Sequence, residues 1–370
     1  MKSSISPTAY ALLSQIALTG EFPADAVPRL IPHAAYAAKI VSALKKDKLI
    51  RAYRRDQLCT LRLSAVGRAF LLADAPDRFG PLLYALAPYK TELHHRSRRC
   101  QMAQLALTMR SAGVAIFPDE KPPLSALSLQ TLRLPAYYSS LEIKGMGIEG
   151  TKIKNARFCG VLLTENKCLL CYHAGDGSLR WTRQSELKSR ALLTHLFCRQ
   201  LLPGRYTVGD VQALMQGACM DRAATLLDPS PQHDPRRFRL DEVYEHFHFC
   251  SEAPGEAFIL LTLLLQPNVA HRLRQTLAAG LRPPSPTLNM EHDGFLPDGT
   301  PVLFVFDADM QRFDRYVRAL LLYGRSGCGY CFDFQKEAFI RRAGAQIQWR
   351  TISTQRFWQY FGTGGTALHE

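Results

Sequence analysis

Acidic side chains are in short supply: 32 Asp and Glu stand against 46 Lys and Arg, leaving a formal net charge of +14. That deficit argues against a cationic partner and favours a polyanion, of which nucleic acid is the usual one. Long apolar runs are missing as well. Runs such as residues 258–261 and 263–265 fall far short of the roughly 20 residues a membrane helix needs. Residues 1–20 lack the basic start and unbroken apolar stretch of an export leader: Ser14 and Gln15 interrupt them, and Lys2 is the sole cation. The ten cysteines are scattered, several inside apolar runs, and form no evident disulfide framework, which fits a reducing cytoplasm. There is no internal repeat and no low-complexity tract. What is present is ample apolar material, 47% of 370 residues, enough for two or three packed domains and against wholesale disorder.

The first 75 residues have a definite rhythm. Ser6 is placed to cap a helix beginning at Pro7, with Tyr10, Leu13, Ile16 and Ala17 at helical spacing and Gly20 closing it. A short helix fits 24–30, and a third fits 33–46 with Ala37, Ile40, Val41 and Leu44 as its apolar stripe. Two strand-like segments, 49–53 and 58–63, are joined by Arg54-Arg55-Asp56-Gln57 as in a hairpin, and a helix follows over 65–73. Three helices, a hairpin and a helix are the order of a winged helix-turn-helix, with the third helix as recognition helix and the hairpin as wing. With the stripe buried, Lys39, Ser42, Lys45 and Lys46 face outward and can reach base edges and phosphates. Arg54, Arg55 and Gln57 stand on the wing. These seven residues are the candidate contacts to double-stranded DNA.

Beyond residue 75 the division expected is a basic helical connector over 76–130, an α/β region over 131–250 and a C-terminal α/β region over 251–370. The connector carries Lys90, His94, His95, Arg96, Arg98 and Arg99, a helix over 101–110 and a strand over 113–117. Strands are expected at 136–143, 158–164 and 167–173, and helices at 184–199 and 208–227. In the last region, strands at 257–261, 302–306, 330–334 and 347–352 each precede a helical pattern: 269–279, 310–323, 336–343 and 354–361. Repeated βα order with continuous apolar strands indicates a largely parallel sheet, so the fold class is α/β, α+β over the whole chain.

Several patterns bear on chemistry. Cys168/Cys171 and Cys328/Cys331 have CxxC spacing, but a zinc site needs four converging ligands and strand residues three apart face opposite ways, so buried thiols are the better account. Pro118-Asp119 followed by Glu142-Ile143-Lys144 on a second strand has the PD-(D/E)xK form. Asp119, Glu142 and Lys144 are therefore the catalytic candidates of an alternative reading, a nuclease using magnesium or manganese. Asp307 and Asp309 follow a strand, where carboxylates bind metal or, more often, cap the next helix. His246 and His248 share one strand face without a third ligand.

Residues Ser139-Ser140-Leu141-Glu142-Ile143-Lys144, the run from Lys152 through Thr164, and Tyr172-His173-Ala174-Gly175 with Trp181 form a recognisable series. They resemble proteins of conjugative elements and plasmids of Firmicutes, distantly similar to the replication-relaxation family. The resemblance implies an N-terminal winged helix joined to a nuclease-like α/β domain, in a protein acting on plasmid DNA. Where that family carries acidic residues on two successive strands, this chain has Phe158-Cys159-Gly160 and Cys171-Tyr172-His173. The departure implies a degenerate nuclease-like fold that binds without cutting, and it leaves Asp119 and Glu142 outside the expected frame. The expectation is a cytoplasmic DNA-binding protein serving replication, transfer or transcriptional control of a mobile element, without a cofactor. A protein-docking adaptor whose partners are replication or conjugation proteins is a further alternative.

Overall fold

Proline and glycine punctuate the first segment where its elements begin and end. In the computed structural model, which describes residues 5–85, 92–146, 157–175, 181–227, 243–285 and 289–361, Ser6 caps helix α1 (Pro7–Thr19) and Gly20 closes it in the left-handed conformation, φ 77°. Strand β1 (Phe22–Pro23), a 3-10 turn, α2 (Val27–Leu30) and α3 (Ala34–Lys46) follow. Strands β2 (Ile50–Arg55) and β3 (Leu58–Leu63) pair antiparallel with Arg55 opposite Leu58, leaving a two-residue turn at Asp56-Gln57. The sheet order is β1-β3-β2, so β2 is an edge strand. Helix α4 (Ala65–Asp74) is capped by Ser64.

Two compact units emerge from the chain, one holding Met1–Lys152, Cys159–Leu163 and Gln200–Pro203, the other Ile153–Phe158, Thr164–Arg199 and Gly204–Glu370. They cut the chain differently from the expected four-part division. The expected connector is part of the first unit's packing: α5 (Pro76–Ala85) and α6 (Leu93–Ser111) both lie against α1. The first unit also contains β4 (Ala136–Ser139), α7 (Ser140–Gly145) and β5 (Gly160–Leu163), with β4 antiparallel to β5.

In the second unit β6 (Cys168–His173), β7 (Val211–Gly217) and β8 (Phe247–Ser251) run parallel. Helix α8 (Arg183–Thr194), continued by a π-helical segment from His195, follows β6. Helix α9 (Met220–Leu227) follows β7. After β8 come α10 (Pro254–Leu265) and α11 (Pro267–Ala278). A second sheet combines β9 (Gly294–Phe295), β10 (Pro301–Phe304), β11 (Gly327–Phe332) and β12 (Ile347–Ile352) in spatial order β12-β11-β10-β9, the last three strands in sequence being parallel. Helices α12 (Met310–Tyr323), α13 (Lys336–Ala343) and α14 (Thr354–Phe361) alternate with them. One face of this sheet buries Val302, Phe304, Cys328 and Phe332 against Ile259, Leu263, Leu273 and Phe357 from α10, α11 and α14. On α13 and β12, Phe339 and Trp349 stack with ring centroids 5.4 Å apart, and Phe313 of α12 meets Phe339 at a tilt, 4.7 Å away.

Four expectations are corrected. Residues 257–261 are helical, inside α10, because Pro254 starts a helix whose residues are buried nearly all round, which erases the 3.6-residue period. Residues 208–227 are a strand and a helix, since the seven residues of β7 are all buried and so show no alternation. The segment 136–143 turns from strand to helix at Ser139, whose hydroxyl accepts from Glu142 N while the Glu142 carboxylate accepts from Ser139 N: a capping box. Over 113–117 the pairing is a single bridge, Ala115 with Ala136. Lys90 and residues 176–177, 230–237 and 362–370 lie outside the described residues.

Candidate nucleic-acid interface

Helix α3 divides cleanly by burial. Ala37, Ile40 and Leu44 face the core, while Lys39, Ser42, Lys45 and Lys46 are exposed and Val41, expected inside, is half-buried. The helix ends without glycine: Lys48 takes the left-handed conformation, φ 58°. Its N–H donates to Lys45 O at 3.0 Å, and Leu49 N–H reaches back to Leu44 O at 2.9 Å. This double closure satisfies the last carbonyls and turns the chain into β2. Ser64 locks the corner, its hydroxyl donating to Lys48 O and accepting from Gly67 N.

Every residue of β2 after Ile50 is exposed. Side chains alternate along a strand. Arg51, Tyr53 and Arg55 therefore share the face of their partners Arg62, Thr60 and Leu58, and Arg54 points the other way beside Cys59. Asp56, φ 51°, and Gln57 form the exposed tip. Between residues 33 and 57 the exposed cations are Lys39, Lys45, Lys46, Lys48, Arg51, Arg54 and Arg55, against Asp47 and Asp56. Lys48 and Arg51 were not among the residues expected from sequence.

Beneath the hairpin lies a buried charged network that the sequence reading did not anticipate. Glu21, with no exposed surface, accepts from Thr60 Oγ1 at 2.6 Å, Arg62 Nη2 at 3.1 Å and Arg96 Nε at 2.7 Å. Arg96 Nη2 also donates to Thr60 Oγ1 at 2.7 Å and to Tyr53 O at 3.1 Å. The Arg62 guanidinium lies 4.5 Å from the Tyr53 ring centre. Arg96 sits in the basic run 94–99, which suggests a solvated surface. The signal against that was its spacing from the apolar positions Cys100 and Ala103, one face of α6.

Each nuclease candidate has a structural partner or a buried setting of its own. Asp119 pairs with Arg78, 3.3 Å from Asp119 Oδ1. Glu142 lies on α7 and not on a strand; it closes the cap and pairs with Lys121, Nζ to Oε1 2.9 Å. Burial, with Arg98 nearby, pushes the Lys144 ammonium pKa down. Among the described residues no group of three His, Cys, Asp or Glu side chains is arranged to hold a metal ion, and Asp119 and Glu142 are each paired with a cation. All ten cysteines are free, and both CxxC pairs are buried.

In the second unit the two His and two Asp singled out in the sequence do meet. His246 Nδ1 is 2.6 Å from Asp309 Oδ2, and Asp309 Oδ1 accepts from Arg312 N as the N-cap of α12. Asp307 is held by Arg274 at 2.8 Å. His248 is fully buried; its Nδ1 lies 3.0 Å from Asp307 O, an acceptor, so the ring donates there. Its Nε2 is 3.1 Å from the Gln212 side-chain amide and 3.5 Å from Lys167 Nζ. Burial first, then Lys167, lowers the His248 pKa. Each carboxylate is engaged by a cap or a cation, so this cluster ties the start of β8 to the β10–α12 loop.

Neither family models, curated proteins nor solved structures give a match to this chain. No described helix is long and apolar enough to cross a membrane.

Proposed function

We propose that residues 7–74 form a winged helix-turn-helix and that the protein binds double-stranded DNA through α3 and the β2–β3 hairpin. The observation that carries this reading is the segment from Lys39 to Gln57, in which seven exposed Lys and Arg stand on one helix, one turn and one edge strand with two acids among them. An α-helix with its side chains, about 10–12 Å across, matches the roughly 12 Å major groove. Lys39, Ser42, Lys45 and Lys46 would face bases and phosphates there, with Lys48 at the helix end. Arg51, Arg54, Arg55 and Gln57 would engage the flanking backbone or minor groove. The proposed target, following the resemblance to mobile-element proteins, is a plasmid or conjugative element, where binding would serve replication, transfer or transcriptional control.

The test is fluorescence anisotropy of the full chain with labelled duplexes tiled across the DNA that encodes it, repeated over a salt series. Affinity falls as salt rises, with a log–log slope near 0.9 per phosphate contacted. Lys39→Ala with Lys46→Ala, and separately Arg54→Ala with Arg55→Ala, each weaken binding and flatten that slope. No binding at low salt, or both double variants binding like wild type, overturns the reading.

A further inference from the structure

We infer that Arg96 is a positioning residue for the β2–β3 hairpin, and that the buried Glu21–Arg62–Arg96 triad sets the angle at which Arg54, Arg55 and Gln57 meet the duplex; the inference rests on the duplex-binding reading above.

A two-stranded hairpin is marginal by itself in water. Strand β2 buries almost nothing of its own, since only Ile50 is covered. Its direction must therefore be fixed from elsewhere. The two-residue β1 pairs with β3 at Leu61 and Thr60 and does not touch β2 in the sheet. Beyond its ladder to β3, β2 is gripped at Tyr53: the Arg96 guanidinium bonds the Tyr53 carbonyl, one residue before Arg54, at 3.1 Å, Thr60 Oγ1 reaches the same carbonyl at 3.3 Å, and Arg62 lies against the ring. The same guanidinium holds Thr60 on the facing strand and Glu21 below it. A planar guanidinium fork is directional, so three acceptors on three segments fix its plane, and with it the hairpin.

The composition of the triad supports positioning over stability. One carboxylate and two guanidiniums lie at 8% side-chain exposure or less. Replacing such a buried triad by apolar side chains of similar volume is often neutral or stabilising. Packing alone would thus be served as well by Met and Leu. What apolar residues cannot supply is the guanidinium that joins the Tyr53 carbonyl, Thr60 and Glu21 in one plane.

The experiment uses the full-length triple variant Glu21→Met, Arg62→Leu, Arg96→Met, which removes all three charges together, and the single variant Arg96→Lys. The single variant keeps a cation for Glu21 without the fork, so it informs even if the triple variant does not fold. Two readouts are taken. In the free protein, hydrogen exchange over residues 51–60 accelerates in both variants, while the Tm of the triple variant stays within about 5 °C of wild type. On duplex DNA, affinity falls about tenfold because the arm is no longer held in register, and the salt slope is unchanged because no phosphate contact is lost. Unchanged exchange in Arg96→Lys overturns the inference whether or not DNA binds. So does a salt slope that drops as far as in the Arg54/Arg55 variant, which would make Arg96 a phosphate contact. Accelerated exchange with no wild-type DNA binding leaves the hairpin support standing and rejects the duplex reading alone.

Discussion

His246 donates to or shares a proton with Asp309 across 2.6 Å, joining the residue before β8 to the cap of α12. That bond, more than any other influence, raises the His246 pKa above its ordinary value, with burial opposing it. The same partner holds the Asp309 carboxyl far below the carboxylate range despite its burial. A raised folded-state histidine pKa contributes stability that is complete below the unfolded value of about 6.5 and is lost as pH rises through the folded value. A depressed carboxylate contributes above about pH 4 and loses that contribution as pH falls through its folded value. The pair therefore stabilises most between about pH 4 and 6.5. His246→Gln should lower Tm clearly at pH 5.5 and much less at pH 9, measured by thermal melts across that range. A gap that does not change with pH would remove the pair from the account.

Lys48 sits in the left-handed region at the corner between α3 and β2, a position glycine usually takes. A side chain there costs about 1 kcal/mol relative to glycine. Lys48→Gly should raise unfolding free energy by about 1 kcal/mol in a urea melt. It should also weaken duplex binding and flatten the salt slope by up to about 0.9, since it deletes an exposed cation. Stability and affinity moving in opposite directions is the signature sought. Equal affinity would place Lys48 outside the interface.

Legibility of the chain followed its punctuation. The bounds of α12, α13, β12 and α14 coincide with the residues expected from sequence, because Asp309, Gly324 and Gly344 mark their ends and their apolar residues keep a clear period. The order of elements up to Asp74 was legible for the same reason, and so were the outward faces of Lys39, Ser42, Lys45 and Lys46. Segments buried on every side, α10 and β7, lost the period that distinguishes helix from strand. The capping box is legible in principle, as Ser139 three residues before Glu142, but Glu142 also completes the PD-(D/E)xK form, which calls for a strand. The Glu21–Arg96 bond could not be seen at all, because a contact between residues 75 apart leaves no local trace.

Glu142 holds two structural duties, which bears on any test of catalysis. Its carboxylate accepts from Ser139 N at 2.8 Å and pairs with Lys121, whose side chain is 1% exposed. Burial lowers the Lys121 pKa, and Glu142 opposes that shift. Glu142→Ala removes the side-chain half of the capping box and leaves a buried ammonium without its carboxylate, at a cost of about 3 kcal/mol. Glu142→Gln keeps an acceptor for Ser139 N and should cost less. Urea melts of the two variants check the order. If Glu142→Ala melts like wild type, the carboxylate is free of these duties and its chemistry would need another explanation.

Glu21 offers the sharpest contrast between one substitution and three. Alone, Glu21→Met leaves Arg62 and Arg96 buried with no carboxylate between them, and breaking a buried ion cluster in this way costs about 3–5 kcal/mol. Adding Arg62→Leu and Arg96→Met removes the uncompensated charges and should restore most of that loss. The three changes are therefore strongly non-additive, because each alters what the others leave unpaired. Chemical denaturation of the single, double and triple variants measures the coupling directly. If the losses simply add, the three charges act separately and the hairpin is held by packing around Leu61 and Leu63. If the triple variant recovers stability without recovering duplex affinity, then the triad is kept for the bond between Arg96 and the Tyr53 carbonyl, and the chain holds its basic hairpin in place by a device that contributes little to folding itself.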